Sequence, residues 1–373
     1  MIYLDYQATT PLAPEAREAM LPWLGTDSGF ANPHSAHKLG RQAAAAVEHA
    51  RAQITAPFGD GGRLLFTSGA TEAANWAIKG IMADALPERR KLVTIATEHA
   101  CVLDSARWLE RMGCELVVLP VDAGGLVDLD AAAAAIDART TLVAAMLVNN
   151  EIGVIQPIGA LGALARAVGA VMFCDAVQGY GRVPLPTAAC DLIAISAHKI
   201  HGPKGVGALW LRDGIAPAPL LHGGAQEGGL RSGTLSPALC AGFGAAAALA
   251  DAQRATDRRH VAALAAQARA AFGPEWALNG DATARYLGNL NLRRDGLDAG
   301  RLISEVREVA FSAGSACASG SGRPSHVLRA IGLDDRAARG SIRLGFGRYT
   351  TAEEVADAAA LLNAAAARQM EWA

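Results

Sequence analysis

The chain has 373 residues and a mass of 38.4 kDa, so length alone points to two or three domains. Hydrophobic residues make up 51% and charged ones 19%, so a large core can form and wholesale disorder is excluded. Lys+Arg total 34 against 36 Asp+Glu, and a formal charge of −2 is no footprint for nucleic acid or an anionic membrane.

In chain order, Met1–Asp5 lacks a basic stretch followed by an apolar core, so no secretory signal is expected and the reading is a cytoplasmic protein. Arg63–Thr67 reads as a strand, followed by a small-residue turn, Ser68-Gly69-Ala70-Thr71, and a helix through Ala73 to Lys79. Lys91–Ala96 repeats the pattern, with a helix from about Cys101 to Arg111. Further apolar runs stand at Glu115–Leu119, Thr141–Val148, Ala170–Cys174, Asp191–Ser196 and Val206–Leu211. Apolar strands alternating with helices signal an α/β fold with a mostly parallel sheet covered on both faces. The longest charge-free apolar run, Ala238 to Ala250, is shorter than the roughly 18 residues of a membrane helix. From about Ala250 the texture changes to a charged, Ala-rich helical stretch ending near Phe272. Asn289–Leu292, a helix near Gly300–Val306, a Gly/Ser segment at Ser312–Gly322 and a last helix after Thr351 then suggest a smaller α+β domain. Six cysteines (Cys101, Cys114, Cys174, Cys190, Cys240, Cys317) lie far apart without a C-x-x-C pair. Neither a disulfide framework nor a zinc site is indicated, and no metal ligands are assigned.

Ligands of such sheets sit beyond the carboxyl ends of the strands, so the polar residues that end these runs carry the functional reading. Lys199 follows Asp191–Ser196 in Ser196-Ala197-His198-Lys199. A lysine there has a short tether and a partly apolar setting, the conditions for a Schiff base with a carbonyl cofactor. Taken alone, a surface lysine after a strand is the simpler reading. Asp175 closes Ala170–Cys174, and a carboxylate at a buried strand end requires a positive partner. A pyridinium nitrogen is such a partner, as in pyridoxal phosphate sites; a helix-capping aspartate is the other reading. Gln178 and Asn150 could each bond the ring oxygen of the same cofactor. Ser68–Thr71 either presents backbone N–H groups and a positive dipole end to a phosphate, or simply starts a helix capped by Ser68 or Thr71. It is not a G-x-x-x-x-G-K-[ST] loop, so a nucleotide site is not indicated. His99, after Lys91–Ala96, can stack on a ring and carry protons, although a lone histidine is more often a bystander. Five polar strand ends spaced like one cofactor's contacts weigh more than any one of them.

A series of motifs runs through nearly the whole chain: Tyr3-Leu-Asp-Tyr-Gln-Ala-Thr-Thr-Pro11, Asn32-Pro-His-Ser-Ala-His37, Thr67-Ser-Gly-Ala-Thr-Glu72, Thr97-Glu-His99 and Val148-Asn-Asn-Glu-Ile-Gly153. Asp175-Ala-Val-Gln178, Ser196-Ala-His-Lys-Ile-His-Gly-Pro-Lys-Gly205, Arg231-Ser-Gly-Thr234, Gly314-Ser-Ala-Cys317 and Ser341-Ile-Arg343 follow in order. With these the chain resembles the cysteine desulfurases, fold type I pyridoxal 5'-phosphate enzymes among the class V aminotransferases. The long Gly/Ser-rich stretch after Cys317 resembles the branch of the housekeeping iron–sulfur and nitrogen-fixation enzymes.

The resemblance implies a large cofactor-binding domain over residues 15–250 and a small domain from 1–14 and 251–373. It implies that Lys199 holds the cofactor, Asp175 pairs with its ring nitrogen, His99 stacks on the ring, and Asn150 and Gln178 bond the ring oxygen. Ala70, Thr71, Ser196 and His198 would hold the phosphate, joined by Thr234 of a second subunit in a homodimer. Arg343 would take the substrate carboxylate, helped by Asn32. Lys199 would remove the Cα proton of L-cysteine, and the Cys317 thiolate would take the sulfur as a persulfide, leaving alanine. The sulfur would pass to an iron–sulfur scaffold or another acceptor protein, and a transferred iron–sulfur cluster at Cys317 is the one metal contact left open. A selenocysteine lyase or a class V aminotransferase is the alternative. Two departures stand out: Ala197 occupies a common glycine position, and the sequence ends at Ala373, where relatives often carry a longer tail.

Overall fold

The computed structural model describes residues 1–26, 29–313 and 325–371. Its elements begin with β1 (Ile2–Tyr3), α1 (Pro14–Met20), α2 (Lys38–Thr55), β2 (Gly62–Thr67), α3 (Ala70–Ala83), β3 (Lys91–Ile95), α4 (Ala100–Arg111), β4 (Glu115–Leu119), α5 (Leu129–Ala135) and β5 (Thr140–Met146). Then come α6 (Ile158–Ala167), β6 (Val171–Asp175), β7 (Leu192–Ser196), β8 (Gly207–Arg212) and α7 (Pro237–Phe272). The chain continues through β9 (Ala277–Leu278), β10 (Asn289–Arg293), α8 (Ala299–Glu305), β11 (Val309–Ala310), β12 (Ser312–Ala313), α9 (His326–Ala330), α10 (Asp335–Arg339), β13 (Ser341–Gly345) and α11 (Ala352–Glu371). Among the described residues no helix is long and apolar enough to cross a membrane.

The described residues form a seven-stranded sheet in the order β2-β8-β7-β6-β5-β3-β4, parallel except for β8. Its middle strands are uninterrupted apolar runs because both faces are covered, and side chains alternate between two cores. Val93, Val143, Cys174, Ile193 and Ile195 enter one. Leu92, Leu142, Phe173, Leu192 and Ala194 enter the other.

A parallel return from β7 would need a crossover of about a dozen residues or more. The link 197–206 is shorter, so β8 turns back antiparallel, and this tight return carries Lys199. It also brings β8 against the turn after β2. A Cβ on Gly207 would stand 2.7 Å from the Ile195 carbonyl oxygen and 2.8 Å from the Gly69 backbone, so a side chain does not fit there.

A second, antiparallel sheet has the order β12-β13-β10-β9. With α8, α11 and the end of α7 it encloses a core that includes Leu290, Leu302, Leu344 and Leu362. The N-terminus joins this part: β1 pairs in parallel with β11, and Leu4 lies in the same core.

Two elements differ from the sequence reading. The change of texture near Ala250 is not a break, because α7 runs unbroken over 36 residues. Phe243 and Ala247 pack in the first core, Leu264 and Phe272 in the second, and residues 251–259 between them are mostly exposed. The charged stretch is therefore the solvated middle of one helix of roughly 54 Å. The run Thr141–Val148 is strand only as far as Met146. The Leu147 N–H turns to the Asp175 carbonyl, and Val148 forms a bridge with Ile155.

Candidate active site

The polar ends of the parallel strands and the β7–β8 return meet at one cavity of about 930 Å³. Ala70, Thr71, His99, Asn150, Asp175, Gln178, Ser196, His198, Lys199 and Arg343 all line it. Asn32 and Thr234 do not; both are exposed, and Asn32 Oδ1 accepts the His34 N–H at 2.9 Å. Cys317 lies outside the described residues.

Lys199 is partly buried, and its amine donates to the carbonyl oxygens of Gln7 and Ala8, each at 2.7 Å. Loss of solvation, aided by the charges of Arg182 and Arg343, pulls this amine down to about 8. At neutral pH a useful fraction is thus unprotonated, the form that condenses with an aldehyde.

Asp175, at the end of β6, is 5% exposed, and its Oδ1 accepts the Val177 N–H at 3.0 Å. Burial raises its pKa, while His99 and Lys199 act the other way. Glu98 lies nearby and is wholly enclosed, with Oε1 accepting the Met146 N–H at 2.5 Å and Oε2 unpartnered among the described residues. Burial, reinforced by the Asp175 charge, pushes Glu98 well above the usual carboxylate range. Of these two adjacent buried carboxyls, Glu98 is the one pushed well up, so it is the first to hold a proton.

His99 caps α4: its Nδ1 accepts the Cys101 N–H at 3.2 Å and lies 3.1 Å from Cys101 Sγ. A ring nitrogen that accepts an N–H is unprotonated, so the neutral ring carries its proton on Nε2. Burial lowers its pKa, which keeps it in that form at neutral pH.

At the far end, the N-cap of α3 is Gly69, and no side chain caps the helix. Neither Ser68 nor Thr71 plays the capping role open in the sequence, which leaves first-turn N–H groups for an anion. The Ser68 N–H donates to Glu72 Oε2, and Glu72 pairs with Arg231 at 2.7 Å, which holds the turn in shape. His198 Nδ1 meets Thr9 Oγ1 at 3.1 Å, and burial next to Lys199 and Lys204 pulls His198 down to about 4.

Arg343, on β13, is 1% exposed. Its Nη2 donates to Asp5 Oδ1 at 2.7 Å and to Ser312 Oγ at 3.1 Å, and Nη1 donates to the Asn150 carbonyl at 3.2 Å. Nε is buried without a partner among the described residues. Any ligand carboxylate at this guanidinium must share it with Asp5. Glu151, beside it, accepts the Ser325 hydroxyl through Oε2 and is pushed up to about 7 by burial, against the pull of Arg343.

Several of these residues carried no role in the sequence reading. Gln7, Glu98 and Glu151 sit inside its motifs but act through a backbone carbonyl or through burial, neither of which a residue type reveals, and Asp5 acts through an ion pair with Arg343, 338 residues away in the chain. Cys101 and His326 line the cavity because α4 and α9 begin there, a tertiary fact. Arg182 lies seven residues beyond Asp175 and showed no signal.

The profile of the class-V aminotransferases matches residues 2–357. A protein named cysteine desulfurase IscS from Rickettsia bellii is 45% identical over 95% of this chain and 88% of its own length. Its counterpart from Rickettsia rickettsii is 44% identical over the same shares. Among solved structures, a NifS-like protein superimposes with a TM-score of 0.91 at 29% identity, covering 98% of this chain and 99% of the other. SspA in complex with cysteine gives 0.84 at 33% identity, over 94% of this chain and all of that one (100%). Fold, order of motifs and likeness over nearly full length agree, and the chain belongs to the cysteine desulfurases of the class-V aminotransferase family.

Proposed function

We propose that this cavity holds pyridoxal 5'-phosphate and removes sulfur from L-cysteine, giving L-alanine and a persulfide on Cys317. The observation that carries the reading is the meeting of a desolvated amine, a buried carboxylate and a buried guanidinium in one cavity. The residues present fit the cofactor. Asp175 is a buried carboxylate with no cation in hydrogen-bond contact among the described residues, the partner a pyridinium nitrogen needs. The uncapped start of α3, with Ser196 and His198 beside it, suits a phosphate. When bound, the cofactor supplies an aldehyde for the amine and an electron-withdrawing ring for the Cα carbanion.

The chain's own groups do the rest. Lys199 would hold the cofactor through its amine, and that amine would take the Cα proton, a task suited to a group near 8. Asp175 keeps the ring nitrogen protonated, and His99, neutral with its proton on Nε2, stacks on the ring and moves a proton to or from the substrate thiol. Asn150 and Gln178 meet the ring oxygen; Ala70 and Thr71 offer the phosphate their backbone N–H groups. Arg343 binds the substrate carboxylate while Asp5 keeps the guanidinium in place; Asn32, outside the cavity lining, is assigned to the same carboxylate on the family resemblance alone. The Cys317 thiolate attacks the substrate sulfur, the C–S bond breaks, and the sulfur stays on the enzyme for an iron–sulfur scaffold or another acceptor protein. The exposed Thr234 is assigned to the phosphate of a second copy in a homodimer. Residues 1–14 and 251–373 act as the smaller unit that carries Arg343 and Cys317.

Purified protein reconstituted with pyridoxal 5'-phosphate should fix the cofactor on Lys199 under borohydride. It should also convert L-cysteine to alanine and sulfide with dithiothreitol and without a keto acid. Cys317→Ser should keep the cofactor and lose sulfide release; wild-type sulfide release by that variant would refute the assignment.

A further inference from the structure

Arg182 lies partly buried between the two parts of the chain and has no carboxylate partner among the described residues. Its Nη1 donates to Gln178 Oε1 at 2.5 Å, and its Nη2 donates to the Lys199 carbonyl at 2.5 Å and the Tyr6 carbonyl at 3.4 Å. Its guanidinium carbon stands 5.3 Å from the centre of the Tyr286 ring, a cation–π contact that replaces the missing anion. One planar group thus bonds both a side chain and the backbone of two cavity residues.

The orientation of a glutamine amide is ambiguous when its neighbours both donate and accept. Here it is not, because a guanidinium only donates, and the atom it touches must be the amide oxygen. Gln178 Nε2 is then the nitrogen; it donates one hydrogen to the Gln7 carbonyl at 2.8 Å and has one left. The same Gln7 carbonyl accepts the Lys199 amine. Gln178 and Lys199 therefore share an acceptor on one side and Arg182 on the other.

We propose that Arg182 is a positioning residue of this cavity. It turns the Gln178 amide so that an N–H faces the ligand, and it ties that amide to the backbone of Lys199. The inference rests on the cofactor reading above and deepens it. A cavity that offers a fixed donor selects an oxygen that accepts, so the ring oxygen of the cofactor is held as the phenolate. A flipped amide would present its carbonyl to that anion and repel it. Lysine could keep the charge at this site, but a single ammonium cannot reproduce the planar fork that reaches Gln178 and Lys199 together.

The test compares Arg182→Met and Arg182→Lys with the wild-type protein, using pyridoxal 5'-phosphate as probe. Two quantities are read: the dissociation constant of the cofactor, and the pH midpoint of the Schiff-base absorbance. In Arg182→Met the cofactor should bind roughly tenfold more weakly, the loss expected for a charged hydrogen bond. The midpoint should rise by roughly one pH unit, because a positive charge beside the protonated Schiff base is gone. Arg343, Asp5, Asp175, His99 and His198 also bear on this amine and are the same in every variant. Arg182→Lys should bind the cofactor more weakly with the midpoint unmoved, and this loss should vanish in a Gln178→Leu background. If Arg182→Met does not fold, Arg182→Lys alone and with Gln178→Leu decides. Wild-type binding and midpoint in the folded variants, or a Lys-variant loss that persists without Gln178, overturns the inference alone. No borohydride-fixed cofactor on wild-type Lys199 overturns the cofactor reading, and the inference with it.

Discussion

Lys199 gives the sharpest test that needs no cofactor. Its amine sits at about 8 in the folded chain against 10.5 for an ordinary lysine, with burial as the first cause. The unfolded chain therefore binds more protons than the folded one between these values, so stability must rise with pH across the window from about 8 to 10.5. Below about 8 the folded protein carries the full cost of a desolvated ammonium. A fall of about 2.5 at about 1.36 kcal/mol for each corresponds to roughly 3 kcal/mol, taken as an upper figure because the site is only partly closed. Lys199→Met removes the titration. It also removes the amine from the Ala8 carbonyl, while the Gln7 carbonyl keeps the Gln178 amide as donor, a cost of about 1 kcal/mol that does not vary with pH. The difference in urea unfolding free energy between variant and wild-type apoprotein should thus change by up to about 3 kcal/mol between pH 7 and 10.5, with the wild type gaining as pH rises. Acetylation of Lys199 by acetic anhydride, followed by mass spectrometry of its peptide, should show a half-maximal rate near the same pH of about 8. A stability difference flat with pH, together with acetylation that follows the exposed lysines, would show that the amine is not desolvated and would remove its qualification as Schiff-base former and proton acceptor.

Two other perturbations follow from the geometry. Asp5→Ala strands a guanidinium that is 1% exposed and leaves it only Ser312 and the Asn150 carbonyl, so urea unfolding should show a loss of about 3 kcal/mol. The double variant Asp5→Leu with Arg343→Leu should recover most of it, and a loss under about 1 kcal/mol for Asp5→Ala would mean that the remaining acceptors suffice. Gly207→Ala puts a Cβ within 2.8 Å of backbone on two sides, with no flexible side chain to give way. It should lower the melting temperature and weaken pyridoxal 5'-phosphate binding, since the Gly69 turn must shift; unchanged cofactor affinity would separate that turn from the phosphate.

The sheet and the strand ends were legible because their signals are local. An apolar run that ends in a polar residue is visible in the sequence, and a covered parallel sheet brings all such ends to one edge. Asp175, Lys199, His99 and Asn150 were found this way, and the cavity unites them. What stayed hidden depends on the third dimension or on the backbone. That Gln7 and Ala8 hold Lys199 follows from the path of their carbonyls, which any residue type could provide. The unbroken course of α7 past Ala250 was obscured because its solvated middle has the composition of a linker while its two ends enter different cores.

Arg182 shows why residues at the strand ends are legible in the sequence and one that acts from behind them is not. Residues that touch a ligand are constrained in type by the ligand's chemistry: an amine for an aldehyde, a carboxylate for a pyridinium, a guanidinium for a carboxylate. A residue that acts through another is constrained only by its neighbours, and an arginine seven positions past Asp175 looks like any solvated surface arginine. Its meaning appears once Gln178 Oε1 and the Lys199 carbonyl are seen on the two nitrogens of one fork. The same reasoning ranks the buried carboxyls. Glu98 is more enclosed than Asp175, yet with one oxygen unpartnered among the described residues it gains nothing from ionising. A neutral Glu98 adds no charge beside Asp175, whose carboxylate at the end of β6 is the group that would tell a pyridinium from an uncharged ring.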